Sequence, residues 1–161
     1  MSRPMIFPSL SNRGDNAMSV QAERPLPRPT VDTQAYWDAA KEERLLIQRC
    51  TSCDKPQFYP RGFCVSCLSD DLEWIEASGR GSIYTFTICH IPGHPSMAEK
   101  TPYAMAMITL DEGVRMLAQI VQTDLDQIAV DAPVEVIFEP VSPDFTLPQF
   151  KITSTGESYD N

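Results

Sequence analysis

Apolar and polar positions alternate through most of the chain after residue 74. Within residues 82–90, Ile83 and Thr85 belong to one set of alternate positions, and Tyr84 and Phe86 belong to the other. This period of two is typical of β-strands, whose successive side chains point to opposite faces. The pattern predicts strands at residues 74–77 continuing through 82–90, 103–110, 115–121, 134–139 and 150–153.

Turn-forming residues lie between and within these strands. Residues 111–113, Asp-Glu-Gly, predict a hairpin connection, and Gly79 and Gly81 predict a bend within one long strand. About five short strands, with one long loop after the first, favour a small closed barrel. The OB-fold is the natural candidate for such a barrel.

A helical period precedes the strands. Residues 33–44 are mostly good helix formers, and Tyr36, Trp37 and Ala40 fall on one face at helical spacing. Asp32 or Thr33 can begin the helix as its capping residue. We interpret the aromatic pair as packing on the chain's own ribbon or barrel, and contact with a partner protein is the alternative.

Four cysteines between the helix and the barrel form two CxxC pairs. Cys50 and Cys53 are separated from Cys64 and Cys67 by ten residues, and strands predicted at 45–49 and 58–61 would form a hairpin that brings the pairs together. Four thiolates at this spacing suit one tetrahedral zinc ion, and iron in a rubredoxin-like site uses the same geometry. Because four protein ligands leave no coordination position open, we expect the metal, Zn²⁺, to be structural.

These patterns predict a mostly β protein with an N-terminal helix, a four-cysteine zinc ribbon and a C-terminal five-stranded OB-fold barrel. We expect the helix and ribbon to occupy residues 32–72 and the barrel to occupy residues 73–153. Residues 1–30 hold five of the fourteen prolines, which favours a disordered or extended tail over residues 1–31. Residues 154–161 are expected to form a flexible C-terminal tail.

Residues capable of catalysis form no recognisable set. Cys89 and His90 are neighbours in a strand and therefore point to opposite faces, so they cannot readily pair as nucleophile and base. His90 and His94 lie at or beyond the end of that strand, beside the long loop 91–102, where a histidine could contact a ligand or simply be exposed. We therefore predict no catalytic residue in this chain.

The charge of the chain bears on its partners and location. Lys and Arg number 13 against 22 Asp and Glu, a net charge of −9, which argues against nucleic-acid binding. No apolar run is long enough to span a bilayer, and we find no apolar core of a signal peptide. CxxC pairs are typical of metal sites in a reducing compartment, so we expect a cytoplasmic protein without a membrane association.

An ordered set of short motifs resembles one known family, the bacterial and archaeal proteins that join a rubredoxin-like zinc ribbon to an OB-fold (domain of unknown function 35). The resemblance covers about residues 33–152 of this sequence. Asp54 departs from the pattern, because the family commonly has glycine after the first CxxC, but Asp tolerates the left-handed conformation. The matching stretches are residues 36–40, 44–50, 58–61, 64–67, 72–74, 77–87, 102–103, 110–115, 133–136 and 147–150.

The resemblance implies a function that composition does not reveal. Members of this family partner thiolase-like enzymes: thiolases, acyltransferases, and aldolases that shorten steroid or other acyl-CoA side chains. It implies a non-catalytic accessory subunit of a hetero-oligomer, inactive alone, which stabilises the complex and helps to form the acyl-CoA channel. A stand-alone acyl-CoA-binding protein and, less favoured by the charge, a nucleic-acid-binding module are the alternatives. No family motif assigns residues that contact CoA.

Overall fold

The computed structural model describes residues 24–153. The predicted tails fall outside these residues, except for residues 24–31, in which residues 24–30 have no regular secondary structure and residue 31 begins a turn. Two short 3-10 helices, Pro95–Lys100 and Leu125–Gln127, lie in the connections. The other elements are α1 (Gln34–Lys41), β1 (Leu46–Cys50), β2 (Pro56–Gln57), β3 (Leu72–Glu76), β4 (Arg80–Cys89), β5 (Tyr103–Leu110), β6 (Arg115–Ile120), β7 (Pro133–Ser142) and β8 (Phe145–Ile152).

The ribbon contains a three-stranded antiparallel sheet in the order β2-β1-β3. Its second strand is Pro56–Gln57 and not the predicted 58–61, a stretch in which Pro60 has no N–H group to donate to a sheet. β3 was expected to begin the first barrel strand, but it pairs with β1 from Leu46–Glu76 to Cys50–Leu72. The proposed division between residues 72 and 73 therefore falls at the start of β3.

The second sheet closes into a barrel in the order β4-β5-β6-β8-β7. β4 pairs with both β5 and β7, and the parallel contact of Ile120 with Phe150 joins β6 to β8. Alternate positions along β5 are buried, as the period of two predicts. The predicted fold class is thus confirmed. The buried core of the barrel includes Ile83, Ala104, Ala106, Ile108, Leu110, Met116, Ala118, Ile120, Val134 and Phe150.

The last hairpin is longer than the sequence indicated. β7 and β8 pair from Val134–Ile152 to Ser142–Phe145, whereas the predicted last strand began at residue 150. Pro140, Pro143 and Pro148 obscure the strand pattern here, because proline lacks the N–H group that a ladder uses.

Helix α1 packs against both the barrel and the ribbon. Tyr36, Trp37 and Ala40 are buried. The Trp37 ring lies 6.1 Å from that of Phe145 in β8, and the Tyr36 ring lies 5.6 Å from that of Phe58 beside the ribbon. The interpretation that the aromatic pair packs within the chain is therefore confirmed, and α1 joins the two parts of the fold.

Candidate metal centre

Two tight turns, one across each CxxC pair, present the cysteines. The Asp54 N–H donates to the Cys50 carbonyl at 2.8 Å, and the Leu68 N–H donates to the Cys64 carbonyl at 2.9 Å. Asp54 and Leu68 adopt left-handed conformations, with φ of 61° and 64°. The Asp54 carboxylate also pairs with the Arg49 side chain, so the residue that departs from the family pattern keeps the turn.

The turns bring the four cysteine sulfurs together. All four Sγ atoms lie within 4.8 Å of one another, and the Cys50–Cys67 and Cys53–Cys64 sulfurs are each 3.6 Å apart. Zn–S bonds of about 2.3 Å in a tetrahedron imply sulfur separations of about 3.8 Å. The cluster therefore has the donors and the spacing that a tetrahedral metal ion requires.

Backbone groups act on the thiols unequally. The N–H groups of Cys67 and then Ser66 stabilise a negative sulfur and lower the pKa of Cys64 to about 6. At Cys53 the N–H of Lys55 favours the thiolate, but burial and the neighbouring cysteines outweigh it and raise the pKa to about 12. Four thiolates packed this closely repel one another, so ionisation of the whole set needs a cation.

Two buried glutamines hold the loop that carries Cys64. Gln48 Oε1 accepts hydrogen bonds from Gln57 Nε2 and from the Arg61 N–H, both at 2.9 Å. Gln57 Nε2 also donates to the Phe63 carbonyl at 3.2 Å, and its Oε1 accepts from the Val65 N–H at 3.0 Å. Sequence reasoning missed this pair, although glutamines in and beside short apolar strands were an available signal.

A carboxylate joins the two turns on their exposed side. Asp71 Oδ2 accepts hydrogen bonds from the hydroxyls of Ser52 at 2.8 Å and Ser69 at 3.0 Å. These hydroxyls lower the pKa of Asp71, the Ser52 bond contributing most. Ser52 lies within the first CxxC pair and Ser69 follows the second. The Asp71 carboxylate therefore connects the two pairs by hydrogen bonds, in addition to the contact between their sulfurs.

The other candidate residues lie away from the cluster. Cys89 is half-buried at the end of β4, and His90 follows it in a bend. His94 caps the first 3-10 helix, where its Nδ1 accepts from the Ser96 N–H at 3.2 Å. Ligand contact by His90 or His94 stays a prediction.

No helix within residues 24–153 has the length and apolar character that a membrane span needs.

A four-cysteine ribbon joined through a helix to a closed five-stranded barrel defines the class of zinc-ribbon OB-fold proteins. The rubredoxin-like zinc ribbon domain of ChsH2 matches residues 37–73, and the C-terminal OB-fold domain of ChsH2 matches residues 74–139. The chain belongs to this ChsH2-type family, whose members include DUF35 domain-containing scaffold proteins.

Three relatives show the breadth of the family. A probable enoyl-CoA hydratase alpha subunit from Thermomonospora curvata is 35% identical over 81% of this chain and 40% of its own length. A DUF35 domain-containing scaffold protein from Methanocaldococcus jannaschii is 34% identical over 67% of this chain and 77% of its own. The benzoylsuccinyl-CoA thiolase subunit BbsA from Geobacter metallireducens is 32% identical over 58% of this chain and 60% of its own.

One solved structure is similar to this chain over nearly the whole length of the solved chain. The Ltp2-ChsH2(DUF35) aldolase superposes with a TM-score of 0.72 at 34% identity, covering 79% of this chain and 98% of that one. Among the sequence relatives, this chain spans less than half of the hydratase alpha subunit. Coverage of the M. jannaschii scaffold protein is much fuller.

Proposed function

We propose that this chain is a non-catalytic accessory subunit of a thiolase-like enzyme, namely a thiolase, acyltransferase or aldolase, that acts on acyl-CoA. The observation that carries the proposal is the likeness to the chain of the Ltp2-ChsH2(DUF35) aldolase, at a TM-score of 0.72. The chain would stabilise the complex and help to form the acyl-CoA channel at the shared interface. We place this hetero-oligomer in the cytoplasm, which keeps free thiols reduced.

The metal chemistry supports a scaffolding role. We propose that Cys50, Cys53, Cys64 and Cys67 bind Zn²⁺, because the four sulfurs have tetrahedral spacing and lie in a region that matches a zinc ribbon. A closed thiolate set leaves no position for water or substrate, so such an ion stabilises the ribbon and takes no part in a reaction. The division into units of residues 32–72 and 73–153 belongs to this proposal.

Co-purification tests the proposed partnership. The full chain, tagged and isolated from its own host under mild conditions, should bring down a thiolase-like chain, and the pair should act on an acyl-CoA that neither turns over alone. Isolation as a single chain, without a thiolase-like companion, would contradict the proposal. A calorimetric titration of the purified chain with acyl-CoA tests the stand-alone alternative, which flat titrations would remove.

Replacement of one ligand tests the metal assignment. Cys50→Ser should abolish stoichiometric zinc, measured by elemental analysis, and should destabilise the ribbon because thiolate–zinc binding contributes to its folding. Cys89→Ser is the matched control, since Cys89 lies outside the cluster, and it should keep one zinc per chain. Full zinc in the Cys50→Ser variant, or iron in the native protein, would overturn the assignment.

The structural role of the metal has a separate test in the assembled complex. Cys67→Ser should lower activity through weaker assembly, because the ion holds the ribbon. A Cys67→Ser chain that assembled normally with its partner and yet stopped turnover would contradict a purely structural metal.

A further inference from the structure

Three large apolar side chains are exposed on the turn that carries the second CxxC pair. Phe63 is 49% exposed, Val65 57% and Leu68 75%. The Leu68 N–H donates to the Cys64 carbonyl at 2.9 Å, so the chain turns back and places Leu68 beside residues 63–65. We call these three side chains the knuckle patch. Single exposed apolar residues are ordinary on protein surfaces, but grouped ones indicate an interaction surface.

The turn itself does not require apolar side chains. The first CxxC pair forms the same turn, because the Asp54 N–H donates to the Cys50 carbonyl as the Leu68 N–H does to that of Cys64. Each member of the knuckle patch has a polar counterpart at the same distance from the first pair of cysteines. Arg49, Thr51 and Asp54 correspond in this way to Phe63, Val65 and Leu68. The metal-binding turn therefore does not explain why the second pair is apolar.

Leu68 is also an unfavourable residue for its own position. The described chain has five non-glycine residues with positive φ, and the four others are polar: Glu43, Asp54, Gln122 and Asp131. A left-handed conformation is costly for a residue with a Cβ, except for Asn and Asp. Exposure to water also forfeits the free energy that a buried leucine provides. Leu68 thus stabilises neither its turn nor a core, which points to a contact outside this chain.

The charges beside the knuckle patch indicate the surface that it fits. Asp70 and Asp71 come directly after the turn and are exposed, and neither forms an ion pair within residues 24–153. Arg61 is the one cation of residues 59–71. A complementary surface therefore combines an apolar pocket with a rim of Lys or Arg.

The area and the charge of the patch disfavour a second copy of this chain as the occupant. The three side chains together expose about 300 Å², whereas a stable interface buries about 800 Å² of each partner. A two-fold contact would also bring the acidic turns of both copies together, because it pairs the same surface of each. Each copy carries a net charge of −9, so the occupant is better sought in a different protein.

We propose that the knuckle patch docks into an apolar pocket with a basic rim on the thiolase-like catalytic subunit. The inference rests on the proposed function and deepens it, because it names a surface through which the two subunits meet. Leu68 is the anchor of this contact, and Phe63 and Val65 extend it. Asp70 and Asp71 face the basic rim.

The affinity of the zinc-loaded full chain for the isolated thiolase-like subunit tests the docking surface. Leu68→Asn should raise the dissociation constant about 10-fold, because a leucine contact is lost. The zinc content and the urea midpoint of the chain alone should not fall, since asparagine suits a left-handed turn. Gln122→Asn is the matched control at another exposed, left-handed position, and it should leave the dissociation constant unchanged.

A second pair of variants separates the knuckle patch from surface hydrophobicity in general. Val65→Ser should raise the dissociation constant about 5-fold. Val130→Ser replaces a valine of similar exposure, 54%, in the loop before β7, and it should have no effect. Asp70→Asn should slow association several-fold at low salt and reduce the dependence of the association rate on salt.

Four results would overturn the inference while the native complex still forms. They are an unchanged dissociation constant in Leu68→Asn, equal weakening by Val65→Ser and Val130→Ser, an unchanged association rate in Asp70→Asn, and loss of zinc in Leu68→Asn. Loss of zinc would mean that the side chain shields the metal site. A native chain that binds no thiolase-like subunit would overturn the proposed function together with this inference, so the two failures are distinguishable.

Discussion

Gln48 and Gln57 are the residues that connect the ribbon sheet to the metal-site loop. Both are nearly fully buried, and together they pair with backbone groups of Arg61, Phe63 and Val65. Because these groups flank Cys64, the glutamine pair holds the second CxxC pair near the first. The cluster is therefore preorganised by amide hydrogen bonds as well as by its turns.

Gln57→Leu should loosen the cluster without removing a cysteine. Leucine leaves the Val65 N–H and the Phe63 carbonyl without their side-chain partner, and each buried unpaired group costs about 1–3 kcal/mol. We expect faster transfer of zinc to a coloured chelator and a lower free energy of unfolding.

A glutamine at the surface provides the control for that substitution. Gln127 is exposed in the second 3-10 helix, so Gln127→Leu should release zinc at the native rate. Equal zinc-transfer rates in the Gln57→Leu and native proteins would show that the glutamine pair does not organise the cluster.

The approach of β4 to β5 depends on a glycine. A Cβ atom on Gly81 would lie 2.3 Å from the Thr109 carbonyl oxygen and 2.9 Å from Leu110 Cα. Both contacts are backbone atoms of the paired strand, which cannot move without opening the ladder. Gly113 differs, since its φ is +84° but a Cβ there would meet open space.

Two alanine substitutions separate close contact from backbone strain. Gly81→Ala should cost about 2–3 kcal/mol of the unfolding free energy, because overpacking distorts the strands. Gly113→Ala should cost only about 1 kcal/mol, the price of a left-handed conformation at a residue with a Cβ. Urea unfolding measures the loss of unfolding free energy in each variant. A larger loss in Gly113→Ala than in Gly81→Ala would mean that the β4–β5 contact tolerates a side chain.

Different interactions stabilise the ribbon and the barrel. Every barrel strand pairs with neighbours on both sides, and its core of Ile, Ala, Met and Phe side chains is continuous. The ribbon sheet is small, with a two-residue edge strand, and the proposed metal would supply much of its folding free energy.

Removal of the metal should therefore act on the two parts unequally. Chelation at neutral pH should raise amide hydrogen exchange in residues 46–76 before it raises exchange in β5 and β6. The measurement is exchange followed by mass spectrometry, with the zinc-loaded chain as reference. Simultaneous loss of protection in both parts would show that the barrel also depends on the metal.

Local sequence determined the features that depend on short spacing. Cys50-x2-Cys53 and Cys64-x2-Cys67 indicated a metal site because each turn is formed within a few residues. Alternation of apolar and polar positions indicated strands, and the face of Tyr36 and Trp37 indicated a packed helix. These signals also indicated the OB-fold, since five strands and their connections restrict the ways in which a barrel closes.

Only the tertiary structure decided which distant residues meet. β3 pairs with β1 in the ribbon sheet. The sequence did not indicate this pairing, because β1 lies about 25 residues before β3 and no local pattern distinguishes it as a partner from β4. Gln48 and Gln57 acquired their role from pairing with each other across two strands, and α1 packs on β1 and β8, which are far apart in the sequence. Strand pairing and burial are properties of contacts between segments, whereas the cysteine turns are properties of one segment.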